Sequence, residues 1–372
     1  MSRREAWSRR RVLASGTALA LSACAPADER RRPIRYVDGL LSYLPDDADS
    51  LSKSRINAFI CDVADTVNVV DANGHPVYLR TFERCNESIE EAKAHIRDKL
   101  PNAYVALRGS DILEREGAGV FLQFQSCEPI GDDLSRISYF HGKELRLLQI
   151  THHNNNLFGG GSLEREPIGL TPLGIEGVAE MNRVGIVPDV AHASEKTALD
   201  VARHTKTPFV LSHGGCYSIV PNVRCATDAM IRAIADRGGV MGIFMMSFWL
   251  TTDDVPKPEH FLAHIRHVVK IGGIDAVGVA NDLPVGGEPE LLALGNNNAE
   301  GVKNYLPWWN AQKERGIRGF ENPPKHVVIP EFNNIQRMER IQSLLEGGGF
   351  KPSEVEKIMG GNWIRVLTDV LG

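Results

Sequence analysis

The sequence predicts an α/β protein, a TIM-like (β/α)8 barrel, and three observations predict it. Eight short apolar runs rich in β-branched residues recur along the chain. Helical patterns of about 10–15 residues separate most of them, which is the alternation of parallel βαβ units. Histidines and carboxylates stand at the carboxyl ends of several runs, where such a barrel carries its chemistry.

In chain order the runs are Ile34–Asp38, Ile56–Asp62, Val120–Phe124, Arg146–Ile150, Ile186–Val190, Phe209–Leu211, Val240–Phe244 and Ala276–Ala280. Helical patterns cover Ser88–Lys99, Leu173–Asn182, Glu195–His204, Asp228–Asp236 and Glu259–Ile271. Ser194 precedes Glu195 and Thr227 precedes Asp228, each with a side-chain oxygen able to accept a free backbone N–H of the first turn. Gly238-Gly239 ends one helix and starts the next strand, as a left-handed glycine allows. Eight strands alternating with helices favour a closed barrel over an open sheet. Asn281–Pro330 is rich in Gly, Pro and Asn without a strong period. It is expected to be a long ordered excursion over the barrel mouth. Ser353–Leu371 reads as helix interrupted at Gly360-Gly361.

The chain has 372 residues and a net charge of -5, enough length for one large core and no basic patch that would point to nucleic acid. Beyond the first 25 residues no apolar run is long enough to cross a membrane. The amino terminus reads as an export signal: Ser8-Arg9-Arg10-Arg11 leads into an apolar run from Val12 to Leu21. Paired arginines after a serine resemble a twin-arginine signal. Leu21-Ser22-Ala23-Cys24 resembles a bacterial lipobox. The expected organisation is a signal over residues 1–23, a polar tether over 24–33 beginning at a lipidated Cys24, and a barrel domain over 34–372. The expected location is the periplasm, with membrane contact only through the lipid. The other cysteines are Cys61, Cys85, Cys127, Cys216 and Cys225, an odd set without a CxxC. Cys216 and Cys225 are near enough in sequence to pair.

The polar residues at strand ends are Asp38, Glu128, His152 and His153, Asp189, His192, His213 and Asp282. Two histidines on consecutive strand ends can meet over one ion, since neutral imidazole is the commonest metal ligand. With Glu128, His192 and His213 make a set of two histidines and a glutamate, a known arrangement for catalytic zinc with one position open to water. Asp282 can pass a proton to a leaving amine. Arg224 can clamp a carboxylate through its planar fork. Asp189 can fix an imidazole tautomer from behind.

Several stretches resemble the membrane dipeptidase (renal dipeptidase-like) family of zinc peptidases. They are Thr151-His152 with Asn154-Asn155, Gly169-Leu170-Thr171-Pro172-Leu173-Gly174 with Met181-Asn182-Arg183-Val184-Gly185, Asp189-Val190-Ala191-His192, Ser212-His213, Arg224 with Asp228, Val277–Asp282 and Gly360–Leu367. Their order and spacing span most of residues 34–372. The resemblance implies a dipeptidase with two zinc ions bridged by Glu128, His192 and His213 on the second ion, His152 and Arg224 at the substrate, and Asp282 as the acid, with Glu128 also catalytic. The first ion's His-x-Asp pair is replaced by Leu40 and Ser42, neither a good zinc ligand. One zinc per chain is therefore expected, or two if other residues replace the lost ligands. The leading reading is single-metal hydrolysis of a dipeptide or similar small amide. The alternatives are a re-purposed barrel that processes a modified peptide, and a non-catalytic binding lipoprotein. A homodimer stays open.

Overall fold

The eight expected strands all form. They are β1 (Tyr36–Leu41), β2 (Ile56–Asp62), β3 (Ala118–Phe124), β4 (Leu145–Gln149), β5 (Val187–Asp189), β6 (Val210–Gly214), β7 (Val240–Ile243) and β8 (Val277–Val279). The computed structural model describes residues 33–46, 48–70 and 76–372, with one compact unit from Ile34 to Gly372. The signal over 1–23, Cys24 and all of the tether but Pro33 lie outside the described residues.

Each strand pairs in parallel with the next, from β1 through to β8. The two ends meet just past β8, where Leu41 bridges Leu283 and the Asp282 amide donates to the Leu40 carbonyl at 2.8 Å. A short strand, Ala103–Val105, pairs with the start of β3, and a hairpin of Val67–Val70 with Pro76–Leu79 stands apart from the barrel. Neither was visible as a pattern.

Alternation along the strands sorts side chains into two layers. Val37, Ala58, Ile60, Phe121, Leu147, Val187, Val210 and Val240 fill the barrel with Trp363, Val366 and Leu367 from the last helix, Asn362–Leu371. Phe59, Leu122, Phe124, Leu148 and Leu211 face outward onto helix residues such as Ile89, Phe140, Met181, Val201 and Phe261. Trp363 is fully buried and donates its indole N–H to the Val279 carbonyl at 3.0 Å. Glycines make its slot: a Cβ on Gly39 would lie 2.3 Å from Trp363 Cζ2, and one on Gly278 2.4 Å from Nε1.

Helices Glu195–His204 and Asp228–Asp236 have the expected bounds, and Ser194 and Thr227 accept from Thr197 N and Met230 N. The helix expected from Ser88 starts six residues earlier at Phe82, capped by Thr81. The excursion after β8 is not irregular throughout. It contains a helix, Asn298–Glu314, with Pro307 inside it. Its Trp309 packs on Phe248, and the Ser247 amide donates to the Val327 carbonyl. The break expected at Gly360-Gly361 is present as a π-turn with a kink at Gly360, where a Cβ would meet the Arg35 carbonyl at 2.1 Å. No helix among the described residues is long and apolar enough to cross a membrane.

The barrel seam rests on Asp38. Its Oδ1 accepts from the Asn281 amide at 2.8 Å and the Leu40 amide at 3.2 Å, and its Oδ2 from Asn281 Nδ2. Burial raises the carboxyl pKa to about 6, against those donors and the nearby buried Arg337. Asp38→Asn keeps the shape but turns an NH2 toward donors. Chemical denaturation should show a loss of about 1–3 kcal/mol, the cost of a buried unsatisfied group; an unchanged midpoint would show that the seam does not need the carboxylate.

Candidate active site

At the carboxyl end of the barrel the interior turns polar. Gln123, Gln149, Asp189 and Ser212 are all fully buried there. Asp189 accepts four hydrogen bonds: Ala191 N and Ser212 N on Oδ1, both at 2.9 Å, and Ser212 Oγ (2.6 Å) and Gln123 Nε2 on Oδ2. Burial raises its pKa, and these donors act against that rise. A group accepting four donors is a carboxylate. The single hydroxyl proton of Ser212 then points at Asp189, and its oxygen accepts from His213 Nδ1–H at 2.8 Å. His213 Nε2 is left as the bare nitrogen. Asp189 thus fixes an imidazole tautomer, with Ser212 as the link.

The His213 Nε2 lone pair faces His192 Nε2 at 2.9 Å. Arg224 Nη2 donates to the same His192 nitrogen at 3.0 Å, so that nitrogen is an acceptor too. Two acceptors in contact need a shared electrophile. Asp282 Oδ2 lies 3.9 Å from His213 Nε2. Backbone strain marks the same place: His192 and Asp282 hold left-handed φ values of 61° and 54°, which costs each about 1–3 kcal/mol and is typical of functional positions.

Burial pushes the pKa values of His152, His192 and His213 well below the ordinary range, with the Arg224 charge adding to it. His153 falls to about 3 through burial and the fields of Arg224 and Arg80. All four are neutral imidazoles. His152 stacks on His153 at 4.0 Å between centroids and on His192 at 4.3 Å. Burial lifts Asp282 to about 7, with Arg224 opposing and Asp38 and Asp62 adding to the rise. Arg224 is 4% exposed, donates to the His213 carbonyl through both Nη atoms at 3.3 Å, and falls to about 10 through burial.

Of the residues expected at the site, His152, His192, His213, Arg224 and Asp282 come together. Glu128 does not join them. The chain leaves β3 through Ser126-Cys127 and enters a 3-10 turn at Glu128, whose side chain is 37% exposed and pairs with Arg80 at 3.7 Å. Leu40 is fully buried among the apolar side chains of the barrel interior, and the Ser42 amide bonds to the Leu283 carbonyl at 3.5 Å. Asp38 is committed to the seam. Cys216 and Cys225 do not pair; all five described cysteines are free and buried. Sequence reasoning missed Ser212 and Gln123 as parts of the histidine's support and Arg80 as a charge on the histidines. The one available signal was a glutamine inside the otherwise apolar Val120–Phe124 run.

A parallel barrel with histidines and carboxylates gathered at its carboxyl end defines the class, a (β/α)8 protein with a polar strand-end site. A model of the membrane dipeptidase family, peptidase family M19, matches residues 47–299, and the chain belongs to that family. It is similar to a dipeptidase of Claviceps purpurea, 29% identical over 306 residues, which are 81% of this chain and 62% of that protein's length. Among solved structures it resembles an amidohydrolase from Pseudomonas aeruginosa, 25% identical with a TM-score of 0.75, over 91% of this chain and 97% of that one. A metallopeptidase from Rhodobacter sphaeroides, solved with a phosphinate mimic of the dipeptide L-Ala-D-Ala, shares the fold at 18% identity and a TM-score of 0.70, over 91% and 99% of the two chains.

The imidazole stack sets a pH dependence. His153 has a folded pKa far below the ordinary 6.5, so the unfolded chain binds the proton more tightly. Its stabilising contribution is complete above about 6.5 and is lost as pH falls from there toward 3. His153→Gln should therefore show a shallower loss of stability between pH 7 and pH 5 in denaturant titrations; identical slopes would contradict a neutral ring at His153.

Proposed function

We propose that the protein hydrolyses a dipeptide or similar small amide with the help of a single metal ion. The observation that carries this reading is the lone-pair contact between His192 Nε2 and His213 Nε2 at 2.9 Å, with the Asp282 carboxylate 3.9 Å from His213. Two imidazoles and one carboxylate are a donor set that suits zinc. His192, His213 and Asp282 would hold the ion, Asp282 standing where Glu128 was expected. Family membership and the dipeptide mimic bound by the Rhodobacter sphaeroides metallopeptidase support the substrate class. The position expected for a first ion lacks its donors, because Leu40 is apolar, Asp38 is bound into the seam and Glu128 pairs with Arg80, whereas the ring nitrogens of His152, His153 and His192 lie within 4.8 Å of one another and are the other donor group at the mouth.

Bound zinc would supply Lewis acidity that brings the pKa of a water toward about 7. The remaining work belongs to the chain. Arg224 binds the substrate carboxylate through its guanidinium. His152 packs against the substrate from the imidazole stack. Asp282 takes a proton from the attacking water and gives it to the leaving amine. The Asp189–Ser212 pair keeps the His213 proton on Nδ1 throughout.

Elemental analysis of the natural protein should give about one zinc per chain, and His213→Ala should lose both the ion and dipeptide hydrolysis, because too few donors remain. Two ions per chain would refute the single-metal reading. No ion under zinc-replete conditions would favour a binding protein.

We also propose export to the periplasm with a lipid on Cys24, on the strength of the twin arginines and Leu21-Ser22-Ala23-Cys24. Mass spectrometry of the mature amino-terminal peptide should find an acylated cysteine. A free terminus at Ala25 would sink the idea.

A further inference from the structure

We infer that the cavity beside Arg224 receives the side chain of the substrate's C-terminal residue and selects a bulky apolar or aromatic one. This rests on the proposed role of Arg224 in holding the substrate carboxylate. The cavity has a volume of about 670 Å³, within the roughly 300–1,000 Å³ of small-molecule sites. Val220, Val223, Phe248, Trp309 and Pro323 give it an apolar lining.

The cavity and Arg224 share one segment, Val220 to Arg224. Asn222, in the cavity wall, accepts from the Arg224 amide at 2.9 Å and donates to the carbonyl of Gly319, another lining residue, at 2.9 Å. One side chain therefore ties the Arg224 backbone to the Gly319 segment of the lining. The aromatic side continues toward the guanidinium: Phe248 meets Trp249 edge to face at 4.7 Å, and the Arg224 guanidinium carbon lies 5.7 Å from the Trp249 ring.

Two buried N–H groups here have no partner among the described residues, Arg224 Nε and Trp249 Nε1. Buried donors without acceptors are costly, and a carboxylate supplies acceptors. The charged groups in the wall are already engaged. Arg318 donates to the Glu164 carbonyl, Lys325 pairs with Asp254 at 2.7 Å, and Glu321 accepts from the Gly319 amide. The apolar part of the wall is aromatic and aliphatic surface that a side chain can cover. Arg224 directly follows Val223 of the wall, so a residue whose carboxylate sits on its guanidinium is placed next to that segment.

The test uses the zinc-replete mature protein with Gly-Gly, Gly-Leu and Gly-Phe. The ratio of kcat/KM for Gly-Phe over Gly-Gly should be at least about tenfold, the discrimination expected when an apolar pocket is filled. Val223→Trp, which fills the cavity, should bring that ratio toward one, and Thr252→Phe should do the same from the other wall. Equal rates on all three dipeptides would overturn the pocket assignment and leave dipeptide hydrolysis standing. If none is cleaved, the proposed function fails, and calorimetry still decides the cavity. Gly-Phe binding no tighter than Gly-Gly, or a preference that survives both variants, overturns the inference.

Discussion

The structure depends on one buried carboxylate. A row of eight parallel strands has two raw edges, and here they meet through little backbone pairing. Asp38 supplies the rest, accepting three hydrogen bonds that hold Leu40 and Asn281 in register. Asp282 follows Asn281 directly, and its amide donates to Leu40. The position of the proposed acid is thus set by the contact that closes the barrel. The same carboxylate is committed to the seam, so closing the fold and shaping the proposed metal site draw on one side chain.

The polar layer above the apolar interior works by restricting protons. Asp189 is saturated with donors, Ser212 has one hydrogen to give, and His213 is left with one tautomer. Neighbouring imidazoles are kept neutral by burial and by a guanidinium that burial itself weakens. Neutral imidazoles with an Nε2 lone pair are what a metal needs, and this layer keeps His192 and His213 so.

Much of this was legible in the sequence, for definite reasons. A strand buried on both faces reads as a β-branched run, and a helix on its outer side reads with a period of 3.6, so the barrel could be read from alternation alone. His213 lies in β6, and His192 and Asp282 come three residues after β5 and β8, so their place at the mouth came with the strands. Glu128 comes four residues after β3 and opens a 3-10 turn, where it pairs with Arg80. The Asn298–Glu314 helix was hidden by its internal proline and by its weak apolar face, since only Gly301 and Trp309 are buried along it. Ser212 beside a histidine looks like any strand serine. Its link to Asp189 exists only after two strands have paired, and no local pattern encodes that.

The floor of the barrel comes from the far end of the chain. Trp363 fills the slot between Gly39, Gly242 and Gly278, and it is made nine residues before Gly372. During synthesis β1 waits for a floor residue that is made only after all eight strands. The barrel interior therefore cannot be sealed until the helix that carries Trp363 has followed the last strand. A chain interrupted before Trp363 would carry every strand and still have an open floor.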